Sequence, residues 1–173
     1  MEADLSSASG HVSIRQLERD DVKWVVSCQP ELYTANFQHA RITTRFLRSQ
    51  EQWINDHFNQ GDRSAFFVAL ADDVKAGFIW GKVLDNLLEG PEGLVLQNYV
   101  LPGFRGKGIG KRLLSALLAF FEGSNVVKVT LNVTLENEAA LALYRSMGFE
   151  PVRYEMERRY DQDGSKSRDR QED

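Results

Sequence analysis

Between residues 105 and 110 the chain reads Arg-Gly-Lys-Gly-Ile-Gly, with three glycines at alternate positions set among cationic side chains. Glycines so placed permit φ > 0 and let a ligand approach bare backbone. Residues 94–101 are largely apolar, read as a strand, and end at Pro102; after the glycines, Ile109, Leu113, Ala116, Leu117 and Phe120 recur at helical spacing. A strand, a glycine turn and a helix start together aim backbone N–H groups and the positive end of a helix at one spot, and the chemistry this suits is the holding of phosphate. Two familiar glycine loops fail on spacing. A Walker loop counted from Gly103 needs Lys and then Ser or Thr after Gly108, where Ile109 and Gly110 stand instead. The dinucleotide fingerprint needs a third glycine at Lys111 or at Leu113.

A second pair of chemistry-bearing side chains lies downstream. Asn137 and Tyr144 are seven residues apart, two helical turns, so a helix over 136–147 puts them on one face with Ala140 and Leu141 between them. Gly148 is placed to stop that helix. The amide of Asn137 can hydrogen-bond a ligand, cap the helix start, or do both. The phenol of Tyr144 is either a donor or a half-buried core ring.

The six residues from Arg105 to Gly110, flanked by Val100, Pro102 and Phe104, match the pyrophosphate loop of the GNAT superfamily of N-acetyltransferases, written [Gln/Arg]-x-x-Gly-x-[Gly/Ala]. Asn137, Ala140, Leu143, Tyr144, Gly148 and Phe149 match that superfamily's Asn-x-x-Ala-x-x-Leu-Tyr-x-x-x-Gly-Phe pattern. The chain therefore resembles an acetyl-CoA-dependent N-acetyltransferase from residue 12 to about residue 160, most strongly over 94–149. The resemblance implies that the backbone at Asn98, Tyr99 and Val100 pairs with the pantetheine arm. It implies too that Arg105 opens a loop whose N–H groups, at Gly106, Lys107, Gly108, Ile109, Gly110 and Lys111, hold the pyrophosphate. Asn137 is then a coenzyme A contact and Tyr144 the catalytic residue, hydrogen-bonding the thioester sulfur.

Elementary chemistry says why such parts are needed. Acyl transfer to an amine requires a neutral nucleophile, and deprotonating a lysine-like amine at pH 7 costs about 4–5 kcal/mol. Tyrosine with its ordinary pKa is uphill by about 2 kcal/mol as a proton donor to a thiolate, so Tyr144 is expected to stabilise the sulfur by hydrogen bonding. The receiving base is unassigned. Where some relatives carry a glutamate on the strand before the loop, this chain has Gln97 and Asn98; where ribosomal-protein acetyltransferases carry one on the following strand, it has Asn132. Glu89, Glu92, Glu136 and, more distantly, Asp85 are the remaining acids to weigh, beside a water relay.

The elements that must position these groups follow in order. Residues 12–17 alternate as a strand, and Asp20 or Asp21 can cap a helix carrying Val22, Val25 and Val26, which Pro30 ends or divides. Residues 31–60 are loosely helical and aromatic-rich, with His39, Arg41, Arg45 and His57; in the GNAT fold this region shapes the acceptor pocket, while for any single residue plain helix packing with a solvated charged face is the stronger reading. Residues 65–70 and 76–84 form a hairpin, 85–93 a loop with Gly90-Pro91 at its tip, 126–133 a strand, and 149–160 a last strand or pair. The fold class expected is α/β (α+β), a GNAT acyl-CoA N-acyltransferase fold with a mixed, mostly antiparallel sheet flanked by helices. Residues 1–10 are expected to be a flexible start, 11–160 the catalytic domain, and 161–173 a polar, disordered tail.

Composition narrows the partners. The 173 residues are 42% hydrophobic and 27% charged with a net charge of −4, ordinary for one soluble domain and unlike a general nucleic-acid binder. No leader-like or membrane-spanning run is present, and Cys28 is the sole cysteine, so a cytoplasmic, reducing setting is expected. His11, His39 and His57 lack ligand spacing, so no metal is expected. The function these readings favour is acetyl transfer from acetyl-CoA to a primary amine of a small molecule or peptide. Protein N-terminal or lysine acetylation is the alternative, and a non-catalytic acyl-CoA-binding module the alternative of another class. The resemblance also allows a homodimer.

Overall fold

A computed structural model describes residues 11–37 and 40–158. Five strands, β1 (Val12–Gln16), β2 (Ser64–Ala71), β3 (Val74–Asn86), β4 (Gly90–Val100) and β5 (Lys128–Leu131), lie side by side in chain order. All neighbours are antiparallel except β4 and β5, which run parallel. Helices α1 (Val22–Asn36) and α2 (Thr44–His57) cover one face, and α3 (Ile109–Gly123) and α4 (Glu138–Ser146) the other. The mixed, mostly antiparallel sheet between helices is as expected.

β2 shows how the residues dictate these layers. Phe66, Val68 and Leu70 face α1 and α2, while Ala65, Phe67 and Ala69 face α3. A strand covered on both sides calls for apolar side chains on both faces, and this one has them from Ala65 to Ala71. On the α3 side Ile109, Leu113, Leu114, Leu117 and Phe121 are buried. The ring that anchors this helix is Phe121 rather than the expected Phe120, because Gly81 and Gly93 leave a hollow beneath it; a Cβ at either would stand within 3 Å of the Phe121 ring.

Several boundaries differ from the sequence reading. Pro30 neither ends nor divides α1, which runs on to Asn36. Val22, Val25, Cys28, Gln29 and Leu32 make one continuous inner face across it, and their burial outweighs the hydrogen bond lost at the proline. The helical region beyond is two helices, α2 starting where the Thr43 hydroxyl accepts the Phe46 N–H at 3.1 Å. Residues 85–93 are mostly strand: β3 and β4 stay paired out to Asn86 and Gly90. The 126–133 strand shortens to β5.

The expected last strand is absent over residues 149–158, and 159–160 lie outside the described residues, as do 1–10 and the 161–173 tail. Val152, Tyr154 and Met156 alternate with charged residues in strand fashion but are 80%, 90% and 94% exposed. A period-2 pattern becomes a strand only where a partner ladder is on offer, and Pro151 withholds a donor at its start.

Asp21 fastens the β1–α1 corner. Its carboxylate is 2% exposed and meets Arg15 Nη1 at 2.6 Å and Lys75 Nζ at 2.7 Å, and it accepts the Glu18 N–H at 2.9 Å. Burial would raise this carboxyl; the two cations and the backbone donor outweigh it and hold it well below the usual carboxylate range. A depressed native pKa means that the unfolded chain takes up the proton first, so this stabilisation is complete at neutral pH and is lost as the pH falls below about 4. Asp21→Ala strands two cations beside a buried site and should lower stability by about 3 kcal/mol, some 6–12 °C in melting temperature. Thermal melts at pH 7 and pH 3 check this: the deficit should shrink in acid.

Candidate functional site

The sheet comes apart at its β4–β5 seam. The parallel ladder lasts four residue pairs, from Glu92–Lys128 to Val95–Leu131, and then stops. On the other side of β4 the register skips Leu96, with Trp80 opposite Gln97 and Gly81 opposite Val95. A bulge of this kind bends the strand that carries it and sharpens its twist. Leu96 packs toward α1 and α2, and Gln97 turns the same way, to α1. Beyond the bulge, β4 from Gln97 to Val100 is paired with β3 alone, which leaves the other edge of Asn98, Tyr99 and Val100 without a strand among the described residues.

That open edge runs straight into the glycine loop. A short turn, Pro102–Phe104, leads to Arg105, and Gly106 and Gly108 both take φ of +75°, the left-handed region that glycine enters without strain. No atom lies within 4 Å of where a Cβ would stand at either, so the loop backbone faces open space. Gly108 is the cap residue of α3, and no side chain of the described residues bonds the first-turn N–H groups. Ile109 is buried and holds the helix start in the core, while Lys107 and Lys111 are exposed. Gly110 lets α3 sit close to α4: a Cβ there would be 3.4 Å from Leu143 Cδ2. The N–H groups of residues 106–111 and the positive end of α3 thus lie together between exposed Lys107 and Lys111, a geometry that can hold a diphosphate.

Arg105 is half-exposed yet tethered at two points. Its Nε donates to the Val100 carbonyl at 2.9 Å and its Nη2 meets Glu31 Oε1 at 2.7 Å. The expected contact residue is engaged in tying the loop to β4 and α1.

Across the opening stands α4. Asn137 caps it, accepting the Ala140 N–H at 3.1 Å, and its Nδ2 donates to Asn36 Oδ1 of α1 at 3.2 Å. Tyr144 is half-buried, set edge-on to Phe149 with ring centroids 5.9 Å apart. Burial raises its pKa, and the adjacent Asn98 amide opposes that in part. Tyr144 is therefore a phenol that keeps its proton, a donor and not an acid, and it lies beside β4 at the residue where the edge is open. The side-chain oxygen of Asn98 is buried with no hydrogen-bond partner among the described residues.

The other β4 side chains look away from the opening. Gln97 is locked to the fully buried Gln29 by two reciprocal amide–amide hydrogen bonds, Gln29 Nε2 donating to Gln97 Oε1 at 3.2 Å and Gln97 Nε2 to Gln29 Oε1 at 3.0 Å. Tyr99 is buried on the α1 side, where desolvation and the nearby Glu31 carboxylate push its proton affinity up. Three of the acids weighed as bases lie elsewhere. Glu89 and Glu92 pair with Lys128, and Asp85 with Arg63, at the hairpin end of the sheet. Glu92 is eight residues before Val100, about 26 Å along the strand. Hydrogen bonds from Thr130 and Asn86 and the charge of Lys128 also hold it below the ordinary range. Glu136 is exposed next to Asn137, and Asn132 is exposed just past β5.

In the aromatic-rich region the packing reading holds. His57 Nδ1 lies 2.7 Å from the Ser64 hydroxyl, which also accepts the Trp80 indole N–H at 3.0 Å, and burial pushes the imidazole pKa down. Arg41 and Arg45 are exposed, and His39 lies outside the described residues. Cys28 is a buried thiol whose pKa is raised, an inert core group. No group of His, Cys, Asp and Glu among the described residues could hold a metal. The residues that the sequence reading missed are Glu31 and Asn36, since nothing local distinguishes them from other polar positions of a helix.

Known proteins resemble this chain in sequence and in fold. The chain is 53% identical over 51 residues to the N-alpha-acetyltransferase RimI of Mycobacterium tuberculosis, 30% of each chain. It is 36% identical over 105 residues to the mycothiol acetyltransferase of Thermobispora bispora, 59% of this chain and 33% of that one. The chain spans less than two thirds of the length of either. The fold matches the aminoglycoside N-acetyltransferase AAC(6')-Iy in complex with CoA with a TM-score of 0.67 at 21% identity, over 87% of this chain and 95% of that one. The sequence pattern described as Acetyltransferase (GNAT) family spans residues 27–149 of this chain, and so the split sheet, the uncapped glycine loop and the tyrosine opposite them are those of a member of the GNAT family of acetyltransferases.

Proposed function

We propose that the chain transfers the acetyl group of acetyl-CoA to a primary amine of a small molecule or peptide, by direct attack within a ternary complex. The observation that carries this reading is the juxtaposition of the open β4 edge at Asn98–Val100, the N–H groups of 106–111 and the retained phenol of Tyr144 on one cleft. The diphosphate would sit on the loop and the pantetheine arm would complete the sheet edge that β5 leaves bare. The thioester sulfur would then lie by Tyr144. When bound, the cofactor supplies an activated acyl group; the chain supplies its placement and a hydrogen bond to the departing sulfur. The non-catalytic alternative gives the Tyr144 ring its packing against Phe149 but its phenol no task.

The amine must arrive neutral or lose its proton to solvent. Gln97, Asn98 and Asn132 cannot accept it, and Glu89, Glu92 and Asp85 are too remote. Glu136, exposed beside the Asn137 cap, and a water relay are the acceptors that fit these constraints. Protein N-terminal acetylation is kept as a second reading because of the 53% identity to an N-alpha-acetyltransferase. A panel of N-terminal peptides set against aminoglycosides and thiol-sugar amines decides between the two. The setting proposed is cytoplasmic, and the domain proposed spans residues 11–160. No helix among the described residues is long and apolar enough to cross a membrane.

Acetyl-CoA at a hundredfold excess over its dissociation constant should stabilise the fold by about 2.7 kcal/mol, raising the melting temperature by roughly 5–10 °C, while ATP and NAD leave it unchanged; a null shift with acetyl-CoA in a folded sample overturns the cofactor reading. Tyr144→Phe should keep that shift but lose about tenfold or more in turnover, the worth of one hydrogen bond made in the transition state. Full turnover in this variant would remove the tyrosine from the chemistry. Glu89→Gln, Glu92→Gln and Asp85→Asn should each retain more than about half of wild-type kcat/KM, within the spread expected of surface substitutions away from a site. A large loss in any of them would reopen the search for a base on the hairpin.

A further inference from the structure

Three polar contacts leave one short stretch of α1 and reach three different parts of the cleft. Gln29 holds Gln97 on β4 through a reciprocal amide pair. Glu31 holds Arg105 of the glycine loop at 2.7 Å, and Arg105 in turn holds the Val100 carbonyl and lies 5.8 Å from the centre of the Tyr99 ring. Asn36, its own Nδ2 bonded to the Leu32 carbonyl at 2.7 Å, presents Oδ1 to Asn137 of α4. These partners are 68, 74 and 101 residues away in sequence. β4, the loop and α4 are the floor and the two walls of the opening, and β5 no longer binds them together there.

From this geometry we infer that the C-terminal half of α1 is a strap that sets the width of the cofactor cleft, with Glu31 and Asn36 as positioning residues for coenzyme A. Each acts through another side chain. Glu31 fixes the loop by way of Arg105, so that the N–H groups beyond it are already aimed when the diphosphate arrives. Asn36 orients the Asn137 amide, whose Oδ1 is taken by the helix cap, so that its remaining donor faces a fixed direction. Preorganisation of this kind lowers the ordering cost of binding. The inference rests on the cleft being a coenzyme A site and deepens that reading.

The test measures dissociation constants of acetyl-CoA and of S-acetylpantetheine, which lacks the diphosphate, by calorimetry on the full chain. The Glu31–Arg105 pair is half-exposed, so Glu31→Ala should weaken acetyl-CoA by about fivefold and leave S-acetylpantetheine unchanged. Glu31→Gln, which keeps an acceptor for the guanidinium, should recover most of the loss. Asn36→Ala leaves the Asn137 cap in place, and should weaken both ligands by about fivefold, the worth of one hydrogen bond. The double variant should lose about twenty-fivefold for acetyl-CoA, because the two residues act on separate walls. A general loosening of the fold would instead weaken both ligands alike in the Glu31 variants. That result overturns the strap, as does unchanged or tighter acetyl-CoA binding in Glu31→Ala and Asn36→Ala. Failure of the unmodified chain to bind acetyl-CoA would overturn the cofactor reading, and the strap with it.

Discussion

The cleft exists because two parallel strands stop pairing. A parallel ladder between β4 and β5 could continue to the end of β4, and if it did, the edge at Asn98–Val100 would be sealed and α4 would close against the glycine loop. The bulge at Leu96 prevents this. One extra residue changes the direction of β4 just where β5 ends, and it also changes which side chains look where. Gln97 and Tyr99 turn into the α1 layer, and Asn98 turns toward Tyr144. Gln97, Asn98 and Asn132 are neutral amides, and Glu31 and Arg105 are paired with each other.

A split sheet is costly to leave alone, because exposed backbone edges need partners and diverging strands need support. The support here comes from both layers. On one face α3 lies across β2, β3 and β4 with Leu113, Leu117 and Phe121 buried, and the hollow at Gly81 and Gly93 seats the last of these. On the other, α1 continues through Pro30 for long enough to reach the loop and α4. Had the helix ended at the proline, neither Glu31 nor Asn36 would stand where it does.

Placement of charge follows the same division of labour. Asp21, Arg15 and Lys75 form a closed cluster at the corner where β1 meets α1, and Glu89, Glu92 and Lys128 another at the hairpin end. Both fasten the scaffold at points remote from the cleft. At the cleft itself, Lys107 and Lys111 remain exposed beside the unbonded N–H groups of α3. The exposed charges of the loop and of the first turn of α3 are cationic although the chain carries a net charge of −4.

How much of this could be read from residues alone follows from the range of the interactions involved. The glycine loop, the helix after it and the pairing of Asn137 with Tyr144 on one face depend on neighbours within a few residues. Backbone sterics and helical period act at that range, so the sequence determined them, and with them a loop built to hold phosphate. What lay beyond the sequence is whatever depends on pairing between distant segments. The four-pair limit of the β4–β5 ladder is such a case, as are the survival of α1 past Pro30 and the missing strand over 149–158. The placement of Glu89, Glu92 and Asp85 in ion pairs at the hairpin end, away from the open β4 edge, is another. The 149–158 stretch has the alternation of a strand, yet alternation states only which faces would differ if a ladder formed. Arg105 makes the same point at the scale of one side chain: its place in the motif is local, but a glutamate 74 residues earlier decides which way it turns, and only the folded chain brings the two together.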